Sequence, residues 1–148
     1  MEDFVYAFIQ LVHNAGAAAV VGSPAAGWWL SSSNPPDGTI TNRFLWTQAI
    51  LKKLAWLTIF AWSLQIASGA SFGATTYYLK HELPDLTGVG FAALLIKVSC
   101  AFICLILALI YLVKSSNWSV NGQKRTWQTL FTLGFIALIS AAFLRWYG

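Results

Sequence analysis

The feature that most constrains this chain is the length of its apolar runs. FVYAFIQLVHNAGAAAVVGSPAAG begins at Phe4, FAALLIKVSCAFICLILALIYLV begins at Phe91, and two more runs lie between and after them. About 20 helical residues cross the ~30 Å hydrocarbon core of a bilayer, and a soluble core of 148 residues does not hold four runs of this kind. The reading is an all-α, polytopic membrane protein: one domain over 1–148, a bundle of four transmembrane helices at about 4–30, 45–78, 89–113 and 126–146. Trp28, Trp29, Trp46, Tyr77, Tyr78, Tyr111, Trp127, Trp146 and Tyr147 fall near the ends of these segments, as interfacial aromatic belts do. Glu2 and Asp3 precede the first run, whereas a cleavable signal opens on basic residues, so segment one is expected to stay as a helix.

Orientation follows from Lys and Arg near the helix ends. The first connection carries Arg43, Lys52 and Lys53, and the third carries Lys114, Lys124 and Arg125. The second balances Lys80 against Glu82 and Asp85. Both termini and the second loop are therefore expected on the outer, periplasmic side of a bacterial inner membrane. The net charge of +4 is a topology signal and not a nucleic-acid footprint.

Only 9% of the residues are charged, against 57% apolar and a mean hydropathy of +0.63. His13 and Lys97 stand out because they fall inside the apolar runs. A central Lys costs ~2.5–3.5 kcal/mol on insertion scales, so such groups face the protein interior and often mark a site. Helices one and three both enter from outside. At 1.5 Å per residue, His13 and Lys97 reach about the same depth, ~13 Å. Helix two rises to meet them with Gln65 and Ser68, and Gln10 shares a face of helix one with His13. Ser140 on helix four is expected near the same level, and Gly69 and Gly73 are expected to form a close-contact face. All five carboxylates lie outside the runs, which argues against a carboxylate proton relay.

Three chemistries fit such a layer. His13 suits haem b ligation, with Gly16, Gly69 and alanines making room and Lys97 as second ligand or propionate partner. Copper would use soft thiolates: His81, His13, Cys100 and Cys104 form a candidate inward path, although Met1 is the only methionine. Alternatively, His13 and Lys97 form a structural clasp that satisfies polar groups inside lipid. Buried Cys is also ordinary packing, and His81 beside Lys80 and Glu82 reads as a solvated loop residue.

The string His13-x-x-Gly16-Ala-Ala-Ala-Val-Val-Gly22 resembles the first helix of copper-resistance D-like (CopD-like) membrane proteins, with Val20 where that family has Trp and Ser23 for its second Gly. Ser68-Gly69, then Thr87-Gly88-Val89-Gly90 followed by Lys97, then Gln123-Lys124-Arg125 continue the likeness in order. The resemblance implies a four-helix membrane subunit or anchor of a copper- or haem-linked respiratory or oxidative complex. The His and Lys would be its cofactor site, with Gln10, Gln65 and Ser68 in support. The bacterial membrane-bound protoporphyrinogen oxidases also pair a first-helix His with a helix-three Lys around haem. Their Trp-x-Ala-Gly…Arg continuation is replaced here by Pro24 to Trp29, so that activity is not expected. The resulting expectation is a non-catalytic subunit whose partners are the lipid bilayer and other membrane subunits. Its alternatives are a cofactor-free accessory subunit and a copper-handling permease.

Overall fold

The computed structural model describes residues 2–34, 42–80 and 88–147. It has four α-helices: α1 Glu2–Ser32, α2 Asn42–Lys80, α3 Val89–Lys114 and α4 Val120–Tyr147, with a 3-10 turn at Ser115–Asn117. There is no strand among the described residues. Each helix packs on two others: α1 on α2 and α4, and α3 on α2 and α4. Three spans are long and apolar enough to cross a membrane: Asn42–Thr75, Val89–Asn117 and Val120–Leu144.

The fourth helix expected to span, α1, is not among them. It has the length, 31 residues, but Gln10, His13, Asn14, Ser23 and Pro24 dilute its hydropathy, and its Ala and Gly add little.

The radial pattern is that of a protein in lipid. On α3 the buried residues are small apart from Tyr111: Gly90, Ala93, Cys100, Ala101, Cys104 and Ala108. The large side chains, such as Phe91, Leu95, Phe102, Ile106 and Val113, are exposed. Water penalises that arrangement through the hydrophobic effect. In a bilayer the tails are as apolar as leucine, so helices gain by close backbone approach over small residues.

Close approach is concentrated between α1 and α4. A Cβ on Gly27 would lie 2.3 Å from the Trp127 ring, and one on Gly134 would lie 2.7 Å from the Val20 carbonyl oxygen. That carbonyl is special: its i+4 residue is Pro24, which has no N–H to donate to it. The helix continues through Pro24, and α4 seats its glycine on the freed oxygen. The expected contact face at Gly69 and Gly73 is not formed among the described residues, since a Cβ at either would meet nothing of theirs within 4 Å.

Helix α4 begins at Val120, six residues before the expected start at 126. The reason is local. Ser119 caps the helix, its Oγ accepting the Gly122 N–H at 3.1 Å. Gln123 is held by its neighbours: its Nε2 donates to the Ser115 carbonyl at 3.0 Å. Its Oε1 accepts from Gln48 Nε2 at 2.9 Å and from Tyr111 OH at 3.2 Å. This knot joins the start of α2, the end of α3 and the start of α4. The basic residues Arg43, Lys52, Lys53, Lys114, Lys124 and Arg125 therefore gather toward one end of the molecule.

Candidate functional site

Away from that basic end, three helices bring ionisable and polar groups together as the depth argument predicts. His13 comes from α1, Gln65 and Ser68 from α2, and Lys97 from α3. His13 Nδ1 is 2.9 Å from Ser68 Oγ, and its Nε2 is 3.4 Å from Lys97 Nζ. Gln65 Nε2 donates to the His13 carbonyl. Phe72 meets the imidazole edge-on, with centroids 5.8 Å apart and planes at 82°.

The hydrogen bonds assign a tautomer. Ser68 donates its hydroxyl proton to the Gln65 carbonyl at 3.2 Å, so its oxygen accepts from His13 Nδ1–H. The bare lone pair then sits on Nε2 and accepts from Lys97. The network thus runs Lys97 to His13 to Ser68 to the Gln65 carbonyl, each donor facing an acceptor. Ring nitrogens are assigned from such networks, and this one is consistent throughout.

Sequence and local packing explain the convergence. Gly16 lies one helical turn from His13, and a Cβ there would come within 3.0 Å of Gln65 Nε2. A larger residue would displace the Gln65 side chain from the His13 carbonyl. Two turns deeper than Gly16, Ser23 Oγ and Thr58 Oγ1 are 2.9 Å apart; one hydroxyl donates to the other, and the accepting one donates to its own helix.

Beside the cluster lies a cavity of about 450 Å³, bounded by α1, α2, α3 and the end of α4. His13, Gln65 and Lys97 are polar members of its wall. Ile66, Leu94 and Phe102 are among its apolar members. Trp62 also lines it. That indole is 1% exposed, and its N–H has no hydrogen-bond partner among the described residues. The sequence reading passed over Trp62, because one tryptophan among eight carries no signal until its surroundings are known.

Other expected site residues lie elsewhere. Gln10 is exposed and donates to Asn14 Oδ1 at 3.0 Å, away from the cluster. Ser140 donates to its own helix at Ile136 and lines a separate apolar cavity of about 340 Å³ between α3 and α4. Among the described residues of α4, those beside the His13 layer are apolar, such as Ala137 and Ala141.

The thiols of Cys100 and Cys104 are free and buried. Cys104 Sγ faces the Leu130 carbonyl at 4.0 Å, which is packing chemistry. His81 lies outside the described residues. No three His, Cys, Asp or Glu side chains gather into a metal-binding group among the described residues.

The chain matches no known family model, no curated protein and no solved structure. The argument about function therefore rests on this site.

Proposed function

We propose that the protein is a multi-pass subunit of the bacterial inner membrane that holds a prosthetic group at His13 and Lys97. In this reading all four helices cross the bilayer as one bundle, α1 included. The basic end is cytoplasmic and both termini are outside, following the positive-inside bias. The chain is a binding and anchoring subunit that serves a membrane-bound respiratory or oxidative complex, in line with its CopD-like resemblance.

The observation that carries the proposal is the His13–Lys97 pair on the wall of an apolar cavity of about 450 Å³. That volume falls in the ordinary range for ligand pockets, ~300–1,000 Å³.

Haem b is the group that the donor set fits. A metal-ligating histidine characteristically donates its second N–H to a fixed acceptor, which sets tautomer and ring orientation. Here His13 Nδ1 has that acceptor in Ser68, and Nε2 carries the lone pair. His13 would be the iron ligand, with Lys97 as second ligand or as partner for a propionate. Ser68 and Gln65 would hold the imidazole and its backbone. When bound, haem supplies one-electron redox chemistry. Copper is not part of the proposal, because Cys100 and Cys104 do not meet His13 in a common ligand set.

One observation favours a second reading. Both ring nitrogens of His13 already have partners within the chain, as a purely structural clasp between α1, α2 and α3 would have.

The deciding measurement is a visible absorption spectrum of the gently solubilised protein, oxidised and dithionite-reduced, for wild type and His13→Ala. The proposal expects a Soret band with a reduced α-band that His13→Ala abolishes. A featureless spectrum from folded wild-type protein would leave the clasp.

A further inference from the structure

The polar wall of the main cavity is one-sided in its hydrogen bonding. Lys97 has three ammonium N–H donors, and among the described residues His13 Nε2 is the acceptor that one of them meets. Every carboxylate of the chain (Glu2, Asp3, Asp37, Glu82 and Asp85) lies outside residues 4–34, 42–80 and 88–147. The nearest to Lys97 in sequence, Asp85, is twelve positions away. A buried charge normally has a counter-ion, and a buried donor normally has an acceptor. Among the described residues no carboxylate faces Lys97, and an anionic molecule in the cavity would supply that counter-ion.

The rest of the wall describes the body of that molecule. Ile66, Val98 and Phe102 line the cavity and are also exposed on the outside of the helices. The space therefore opens sideways between α2 and α3, onto the flank that faces lipid. Gly69 leaves room there, since a Cβ on it would meet nothing within 4 Å. A molecule entering by that route comes from the bilayer and has an apolar chain.

We propose that this cavity binds an acyl chain ending in an anionic oxygen head, with the head on Lys97 and the chain between α2 and α3. The proposal rests on the reading of this cavity as a ligand site, and does not depend on haem. The shared chemistry is a carboxylate or phosphate on a long hydrocarbon, from a free fatty acid or from a phospholipid.

The test uses the full chain in phosphatidylcholine nanodiscs, with its absorption spectrum recorded first. Binding of radiolabelled oleate is measured in competition with unlabelled oleate, methyl oleate and dioleoyl phosphatidic acid. Oleate should compete roughly tenfold or more better than methyl oleate, because a charge-assisted hydrogen bond is lost in the ester. Lys97→Met should abolish that preference and Lys97→Arg should retain it. Gly69→Leu should block binding by filling the opening.

Competition by unlabelled oleate alone identifies a free acid, and stronger competition by phosphatidic acid identifies a phospholipid head. Either result supports the proposal. Equal competition by ester and acid overturns it, as does binding unchanged in Lys97→Met or no saturable binding at all. If Lys97→Met fails to fold, Gly69→Leu and the ester comparison still decide.

The haem reading fails separately. Selective oleate binding by protein without a Soret band keeps this inference and removes haem. A Soret band that oleate neither displaces nor accompanies does the reverse.

Discussion

The glycines give the sharpest test of how α1 is held. At Gly27 a new Cβ would sit 2.3 Å from Trp127 Cε3 and 2.4 Å from its Cδ2. Trp127 is fully buried, so the ring has no free space to move into. Overpacking a tight contact costs ~1–3 kcal/mol, and a ring that cannot retreat puts Gly27→Ala at the upper end. Against this, Ala is better than Gly in a helix by ~1 kcal/mol. The net expectation is a loss of about 2 kcal/mol, up to roughly thirtyfold in the unfolding equilibrium. Gly134→Ala should behave alike, because its Cβ meets the Val20 carbonyl oxygen at 2.7 Å, a backbone atom. Gly69→Ala and Gly73→Ala meet nothing within 4 Å and should gain up to ~1 kcal/mol from helix propensity alone. The assay is unfolding by sodium dodecyl sulfate from mild detergent micelles, followed by tryptophan fluorescence and far-ultraviolet circular dichroism. The reasoning fails if Gly27→Ala is as resistant as wild type, or if Gly69→Ala loses as much as Gly27→Ala does.

Three further outcomes follow from the polar contacts. Ser68→Ala strands the His13 Nδ1–H and should cost ~1–3 kcal/mol in the same unfolding assay, while Ser68→Thr, which keeps the hydroxyl, should recover most of it. Gln123→Leu leaves Gln48 and Tyr111 without their shared acceptor and should lower stability by ~2–4 kcal/mol, since more than one buried group loses its partner. Its circular dichroism should show helix lost from the start of α4. A double-mutant cycle on Ser23→Ala and Thr58→Val should return a coupling of only ~0.6 kcal/mol, the average for hydrogen bonds between helices in membranes. A coupling above ~2 kcal/mol would mean that this pair, and not the glycine contacts, fixes α1 on α2.

Much of the architecture is legible in the sequence because lipid allows few choices. Runs such as FAALLIKVSCAFICLILALIYLV must be helical, since unpaired backbone groups are too costly in hydrocarbon. The boundaries of α1, α2 and α3 accordingly fall within three residues of expectation. The start of α4 does not. Charged and polar residues in Asn121–Arg125 read as loop, yet Ser119 caps the helix and Gln123 anchors it through three other segments. A capping serine three residues before Gly122 was a visible signal, whereas the partners of Gln123 were not. Close packing was misplaced for a related reason. Gly69 and Gly73 have the spacing of a contact pair, but spacing does not say which face meets a neighbour. Pro24 does carry that information: it frees the Val20 carbonyl, and the helix that covers this point needs a glycine there, which is Gly134.

The site shows the same division between what depth can reveal and what only packing reveals. Depth needs only the residue number, the rise per residue and the direction of each helix, so His13, Ser68 and Lys97 were placed at one level before their contacts were known. Azimuth needs the packing, and it separates Gln10 and Ser140 from the cluster although both have suitable heights. It also explains why α1 is the least lipid-like helix. Of the residues that lower its hydropathy, His13 and Ser23 are met by α2 or α3: His13 by Ser68 and Lys97, Ser23 by Thr58. Those polar groups would oppose insertion of α1 alone, and within the folded chain they bind it to its neighbours. Lys97 departs from this rule, because its remaining donors face a cavity and not a neighbouring helix. A clasp that served structure alone would need neither the cavity nor the unmet donors, and for that reason the ligand reading is preferred.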